Sequence, residues 1–174
     1  IDEDIIAVGA AVELIHTYSL VHDDLPCMDD DAERRGKPAV HIAFGQGPAV
    51  LVGDALLTEA FRTLARTDTP AAVRIELVEE LTQAAGHVGM IGGQAADIGM
   101  GGAVAELDDL IRLHRAKTGA LICGAVRLGA IAGGATSDQL AALTTYGRAV
   151  GLAFQMSDDV LDADEDAGDD GPPS

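Results

Sequence analysis

The chain has 174 residues, 48% of them hydrophobic and 3% aromatic, with 29 acidic side chains against 11 basic ones and a formal net charge of -18. So large an apolar fraction can fill one core and excludes a disordered acidic tail, while the charge balance excludes a nucleic-acid groove, which needs clustered Lys and Arg. Cys27 and Cys123, with neither C-x-x-C nor zinc spacing, exclude a disulfide framework and fit a reducing compartment.

Apolar residues recur at helical rather than alternating spacing almost everywhere, so the expected fold is all-α in a single domain over 1–174. The opening "IDEDIIAVGAAVELIH" lacks a basic region followed by an apolar stretch and a cleavage site, and reads as no secretory signal. A first helix is predicted from about Asp4 to about Asp24, stopped by Pro26, which removes a backbone donor and clashes with the preceding turn. Residues 25 to 47 are expected to be loop, and the next helix to open near Pro48, a residue tolerated in a first turn. After a turn at "DTP", one long helix is predicted over about 71 to 98. Another follows over about 106 to 132, ending at Gly133 and Gly134, and a last one runs from an N-cap at Ser137 to about Asp164. The most apolar segment, "GALICGAVRLGAIAGGA", is interrupted by Arg127 and falls short of the roughly 20 apolar residues that span a bilayer. A cytoplasmic protein without stable membrane insertion is expected.

Two acidic clusters stand out. "HDDLPCMDDDAERRGKP" carries Asp23, Asp24 and Asp29, followed closely by Arg34, Arg35 and Lys37. Asp23 and Asp29 are six apart, roughly 240° on an ideal helix, so they can approach only if the helix breaks between them, and Pro26 supplies the break. In "FQMSDDVLDADED", Asp158 and Asp162 are four apart and Asp159 and Asp162 three apart, which puts like charges on one helix face. Each cluster alone reads as a solvated helix end. Two of them, each closing an apolar helix, could meet at one mouth of a helical bundle around a shared cation. Aspartate oxygens are hard ligands suited to Mg²⁺, which is commonly shared with substrate phosphates, and the nearby Arg and Lys then serve as phosphate donors.

These motifs, with "GGQAADIG" at 92 to 99 and "HRAKTGAL" at 114 to 121 in the same order, resemble the trans-prenyl diphosphate synthase family. The resemblance covers essentially the whole chain but only the middle of the family's usual length, lacking its upstream glycine-lysine-arginine segment and its final helices. It implies an isoprenoid synthase bundle around a deep apolar cavity, in a homodimer. Asp23, Asp24, Asp29, Asp158, Asp159 and Asp162 would hold about three Mg²⁺ ions on the allylic diphosphate. Arg34 and Lys117 match residues on that diphosphate, Arg35 and His16 match residues of the isopentenyl diphosphate site, and Thr118 and Gln155 match residues near the developing cation. Gln94 and Asp97 would support these from behind.

The implied reaction is head-to-tail condensation of isopentenyl diphosphate with an allylic diphosphate, driven by electrostatic stabilisation of the departing pyrophosphate. Tyr18 and Ser19, five and four residues before Asp23, match positions that floor the elongation cavity. A tyrosine there resembles the farnesyl type. Geranylgeranyl diphosphate synthesis is the alternative product, and a non-catalytic subunit of a heteromeric synthase or a terpene cyclase the alternative functions.

Overall fold

The computed structural model describes residues 3–100 and 107–168, excluding the side chains of 107–110, 155 and 158–168. The described residues are all-α apart from a hairpin of two very short strands, and the chain divides into two compact units, one of Ile1–Thr82 with Leu128–Ala135 and the other of Gln83–Arg127 with Thr136–Ser174.

In the first unit α1 (Glu3–Asp23) lies along α3 (Gln46–Ala65). α1 buries Val8, Ala11, Ile15, Tyr18 and Val21, a stripe at helical spacing, and α3 answers with Ala49, Gly53, Ala60 and Leu64. Three of those four are small, which lets the two backbones approach. Ile15, Leu64, Leu77, Leu81 and Leu128 are fully buried, and each contributes about 1.5–3 kcal/mol by leaving water. By length and composition α1 could cross a bilayer. The core helix of a soluble protein passes the same test; the buried stripe of α1 packs on α3, while Ile5 and Ile6 on the same helix are exposed.

Residues 25–47 are not all loop. β1 (Glu33–Arg34) pairs antiparallel with β2 (Lys37–Pro38), joined through Arg35 and Gly36 at φ 53° and 73°. Positive φ at both turn positions matches the twist of the strands, which is what closes so short a hairpin. A five-residue α2 (Val40–Phe44) follows and packs on α3. α3 opens at Gln46, two residues before Pro48, whose missing N–H is one that no helix start could satisfy. Beneath this segment Val21, Leu25 and Ala49 are buried together, with Met28, Val40 and Leu56 against them.

The helix expected over 71 to 98 is two helices, α4 (Ala71–Ala85) and α5 (Met90–Asp97). The apolar period continues through the break, but a Cβ on Gly89 would lie 2.2 Å from the Ala84 carbonyl oxygen, and one on Gly92 2.0 Å from that of His87. Only glycine lets the chain turn so tightly there. α5 ends in a Schellman motif at Gly99 (φ 82°), with the Met100 and Gly99 N–H groups donating to the Ala95 and Ala96 carbonyls at 3.0 Å.

The helix predicted over 106 to 132 is α6 (Leu107–His114), a π turn (Arg115–Gly119) and α7 (Ala120–Ala132). A second Schellman motif at Gly134 (φ 70°) ends it, Ala135 and Gly134 donating to Ala130 and Ile131. α8 (Ser137–Gly168) is capped one residue earlier than expected. Thr136 Oγ1 accepts from the Gln139 N–H at 3.3 Å while Gln139 Oε1 accepts from the Thr136 N–H at 2.8 Å, a reciprocal capping box.

Candidate functional site

In the first unit the candidate residues gather where α1 ends. After Asp23 the chain reverses: the Asp29 N–H donates to the Asp23 carbonyl at 2.9 Å and the Asp30 N–H to that of Leu25 at 3.1 Å, with Asp30 at φ 55°. The exposed Asp29 is thereby returned to Asp23, which is half-buried at the helix end. Asp24 turns inward, 3% exposed. Arg34 meets it there, Nε at 2.8 Å and Nη2 at 2.6 Å from Oδ1, and Nη2 also lies 3.3 Å from Asp31. The hydrogen bond to Asp24 raises the Arg34 pKa further above its ordinary value, against the effect of burial. Arg35 is exposed at the hairpin tip, in a left-handed conformation that costs a non-glycine residue on the order of 1 kcal/mol.

Among the described residues no group of three or more His, Cys, Asp or Glu side chains is gathered to hold a metal ion. Magnesium does not require such a cage, since it is commonly held by one or two carboxylates together with waters and substrate phosphates. The backbone hydrogen bond from Asp29 to Asp23 keeps these two residues together at the end of α1. The Asp24 carboxylate is engaged by Arg34.

On α1, one turn and more before the acidic loop, His16 is half-buried and the Ser19 hydroxyl donates to its carbonyl at 2.8 Å. Tyr18 is 5% exposed, and its hydroxyl is buried without a partner. Burial first, and the Asp23 charge second, push the phenol up to about 12, so it stays neutral at physiological pH.

In the second unit the π turn contains the whole of "RAKTG". Such turns insert an extra residue into a helix and recur at functional sites. This one is packed between glycines. A Cβ on Gly93 of α5 would sit 2.2 Å from the Lys117 amide nitrogen, and one on Gly151 of α8 would sit 2.8 Å from the Gly119 Cα. The Lys117 ammonium pairs with the Asp97 carboxylate at the end of α5, the lysine side chain half-buried and the aspartate exposed. Gln94, one residue after Gly93, has both side-chain polar atoms buried without a partner. Thr118 is half-buried in the same turn. Gln155, Asp158, Asp159 and Asp162 lie on α8, and their side chains are outside the described residues. Two partnerships had no signal in the sequence: Lys117 with Asp97, twenty residues apart, and Arg34 with Asp24 rather than with a ligand alone.

The family model for polyprenyl synthetase matches residues 2–173. The chain belongs to the polyprenyl synthetase family. Within that family it is 52% identical over 160 residues to farnesyl diphosphate synthase of Escherichia coli, covering 90% of this chain and 54% of that protein. It is 47% identical over 164 residues to farnesyl diphosphate synthase of Bacillus subtilis, covering 92% and 55%. A chloroplastic geranylgeranyl pyrophosphate synthase of Catharanthus roseus is 48% identical over 157 residues, covering 88% and 44%. The chain thus spans about half the length of the curated relatives it matches. The apo crystal structure of an FPP/GFPP synthase from Zymomonas mobilis superposes with a TM-score of 0.89 at 46% identity, covering 94% of this chain and 60% of that one. The fold is therefore the all-α fold of the isoprenoid synthases.

Proposed function

We propose that the protein carrying this chain is a prenyltransferase that condenses isopentenyl diphosphate with an allylic diphosphate, head to tail, giving farnesyl diphosphate. The observation that carries this reading is the reversed loop after α1, in which Asp23 and Asp29 are joined through the backbone while Arg34 and Arg35 follow on a hairpin of the same loop. Farnesyl diphosphate synthases about half identical to this chain support it. The geranylgeranyl product is the second reading, favoured by the plant relatives named for it.

Asp23 and Asp29 would hold Mg²⁺ together with substrate phosphates, with Asp24 drawn in where Arg34 moves to a phosphate, and Asp158, Asp159 and Asp162 would serve as the second acidic set. Bound there, the metal would supply Lewis-acid stabilisation of the charge on the leaving diphosphate. Arg34 and Lys117 would donate to the allylic diphosphate, and Arg35 and His16 would bind isopentenyl diphosphate. An ammonium has three donors, so Lys117 can keep Asp97 and still reach a phosphate. Thr118 and Gln155 would face the developing cation, which an apolar cavity shields from water, and Tyr18 with Ser19 would floor that cavity. The enzyme would act as a homodimer in the cytoplasm.

Incubating the whole protein with labelled isopentenyl diphosphate and separate C5, C10 and C15 allylic primers tests this. Elongated diphosphates are expected and their length names the product. Hydrocarbons would indicate a cyclase, and no product a non-catalytic subunit.

A further inference from the structure

The Tyr18 ring is not anchored by its hydroxyl, which is buried with no partner. His22, one helical turn on, meets the ring edge to face, with centroids 5.8 Å apart and planes at 79°. His22 is itself fixed from α3. Its Nε2 lies 3.1 Å from the Val50 carbonyl oxygen, and because a carbonyl only accepts, Nε2 carries the proton. One turn further along α3 is Gly53, where a Cβ would fall 2.0 Å from His22 Nε2, 2.4 Å from Cδ2 and 2.7 Å from Cε1. The imidazole fills the volume that a side chain at 53 would need.

We infer that His22, seated on Gly53 and tied to Val50, is a positioning residue for the Tyr18 ring and thereby sets the length of the product. The inference rests on the reading of Tyr18 as the floor of the elongation cavity. Each catalytic cycle lengthens the apolar chain by one C5 unit, and a floor that yields admits one unit more. With no hydrogen bond at its far end, Tyr18 resists that push through packing alone, and His22 supplies the contact whose own position α3 fixes. Glycine at 53 is then required by the ruler and not only by helix packing.

The test separates products by length after the whole protein is incubated with labelled isopentenyl diphosphate and geranyl diphosphate. It uses wild type, His22→Gln, Gly53→Ala, Tyr18→Ala and the His22→Gln/Tyr18→Ala pair. His22→Gln keeps an N–H donor for Val50 without the ring, so it guards against loss of folding if Gly53→Ala does not fold. His22→Gln and Gly53→Ala are expected to raise the ratio of the next longer homologue to the main product about fivefold, the worth of one aromatic edge contact. Tyr18→Ala is expected to raise it more, and adding His22→Gln to Tyr18→Ala to change it no further, because the two act as one unit. An unchanged length distribution in His22→Gln, even with a slower rate, overturns the inference, as does a further lengthening in the double variant. If Tyr18→Ala itself leaves product length unaltered, the floor reading falls and takes the inference with it. A wild type that forms no elongated diphosphate rejects the proposed function instead.

Discussion

Arg34 reaches Asp24 from a tight hairpin in one unit, whereas Lys117 reaches Asp97 from a widened helical turn in the other. The first carboxylate is 4% exposed and the second 40%. A buried carboxylate is costly without a partner, so the Arg34 pair belongs to the architecture of the loop; a surface pair is worth only about 0–1 kcal/mol, so the Lys117 pair contributes direction more than stability. Both cations depend on an irregular backbone, a left-handed residue at Arg35 beside Arg34 and a π turn around Lys117. What differs is how that irregularity is held: by local turn chemistry in the hairpin, and by close packing against glycines of α5 and α8 at the π turn.

The largest effect is expected where packing holds the irregularity. Gly93→Ala would set a methyl against the Lys117 backbone and should cost about 3 kcal/mol or more, read as a lowered urea midpoint. A value under about 0.5 kcal/mol would mean that the π turn is not gripped there. Next comes Arg34→Met, which strands the Asp24 carboxylate. With Arg34 itself about one-third exposed, a loss of about 2 kcal/mol is expected by chemical denaturation, largely restored by Asp24→Leu in the same chain. Failure of that restoration would break the distinction drawn between the two pairs.

A smaller effect of opposite sign should appear at the hairpin tip. Arg35→Asn suits the left-handed turn and should stabilise by about 0.5–1 kcal/mol, and under the proposed role of Arg35 it should also raise the KM for isopentenyl diphosphate. Smallest of all, Asp97→Asn should leave the thermal midpoint within the shift of about 0.5 kcal/mol, because its pair is exposed. A larger loss would place Asp97 with Asp24 as a structural partner.

Much of this was legible because it is local. The stop of α1 ahead of Pro26, the return of Asp29 to Asp23 and the glycine that ends α7 follow from residues a few positions apart. The break between α4 and α5 was hidden, because the apolar period runs through "GHVG" unbroken and the turn depends on carbonyls that only glycine can approach. The hairpin was hidden for a different reason: Arg35 is an uncommon choice for a position that favours Gly or Asn, so the turn carried half of its usual signature. The "RAKTG" motif was visible as residues but not as a π turn, since the extra residue is accommodated by Gly93 and Gly151 from helices distant in sequence.

By itself the amino-acid order determined an all-helical chain of the polyprenyl synthetase family, with its acidic loop, its caps and its stops, because those depend on spacing along one backbone. Tertiary structure alone decided that Asp24 is spent on Arg34, that Lys117 leans on Asp97, and that His22 occupies the space Gly53 leaves. Those are contacts between segments ten to about thirty residues apart, and which side chains meet is set by how closely whole helices approach, a quantity that no local pattern encodes.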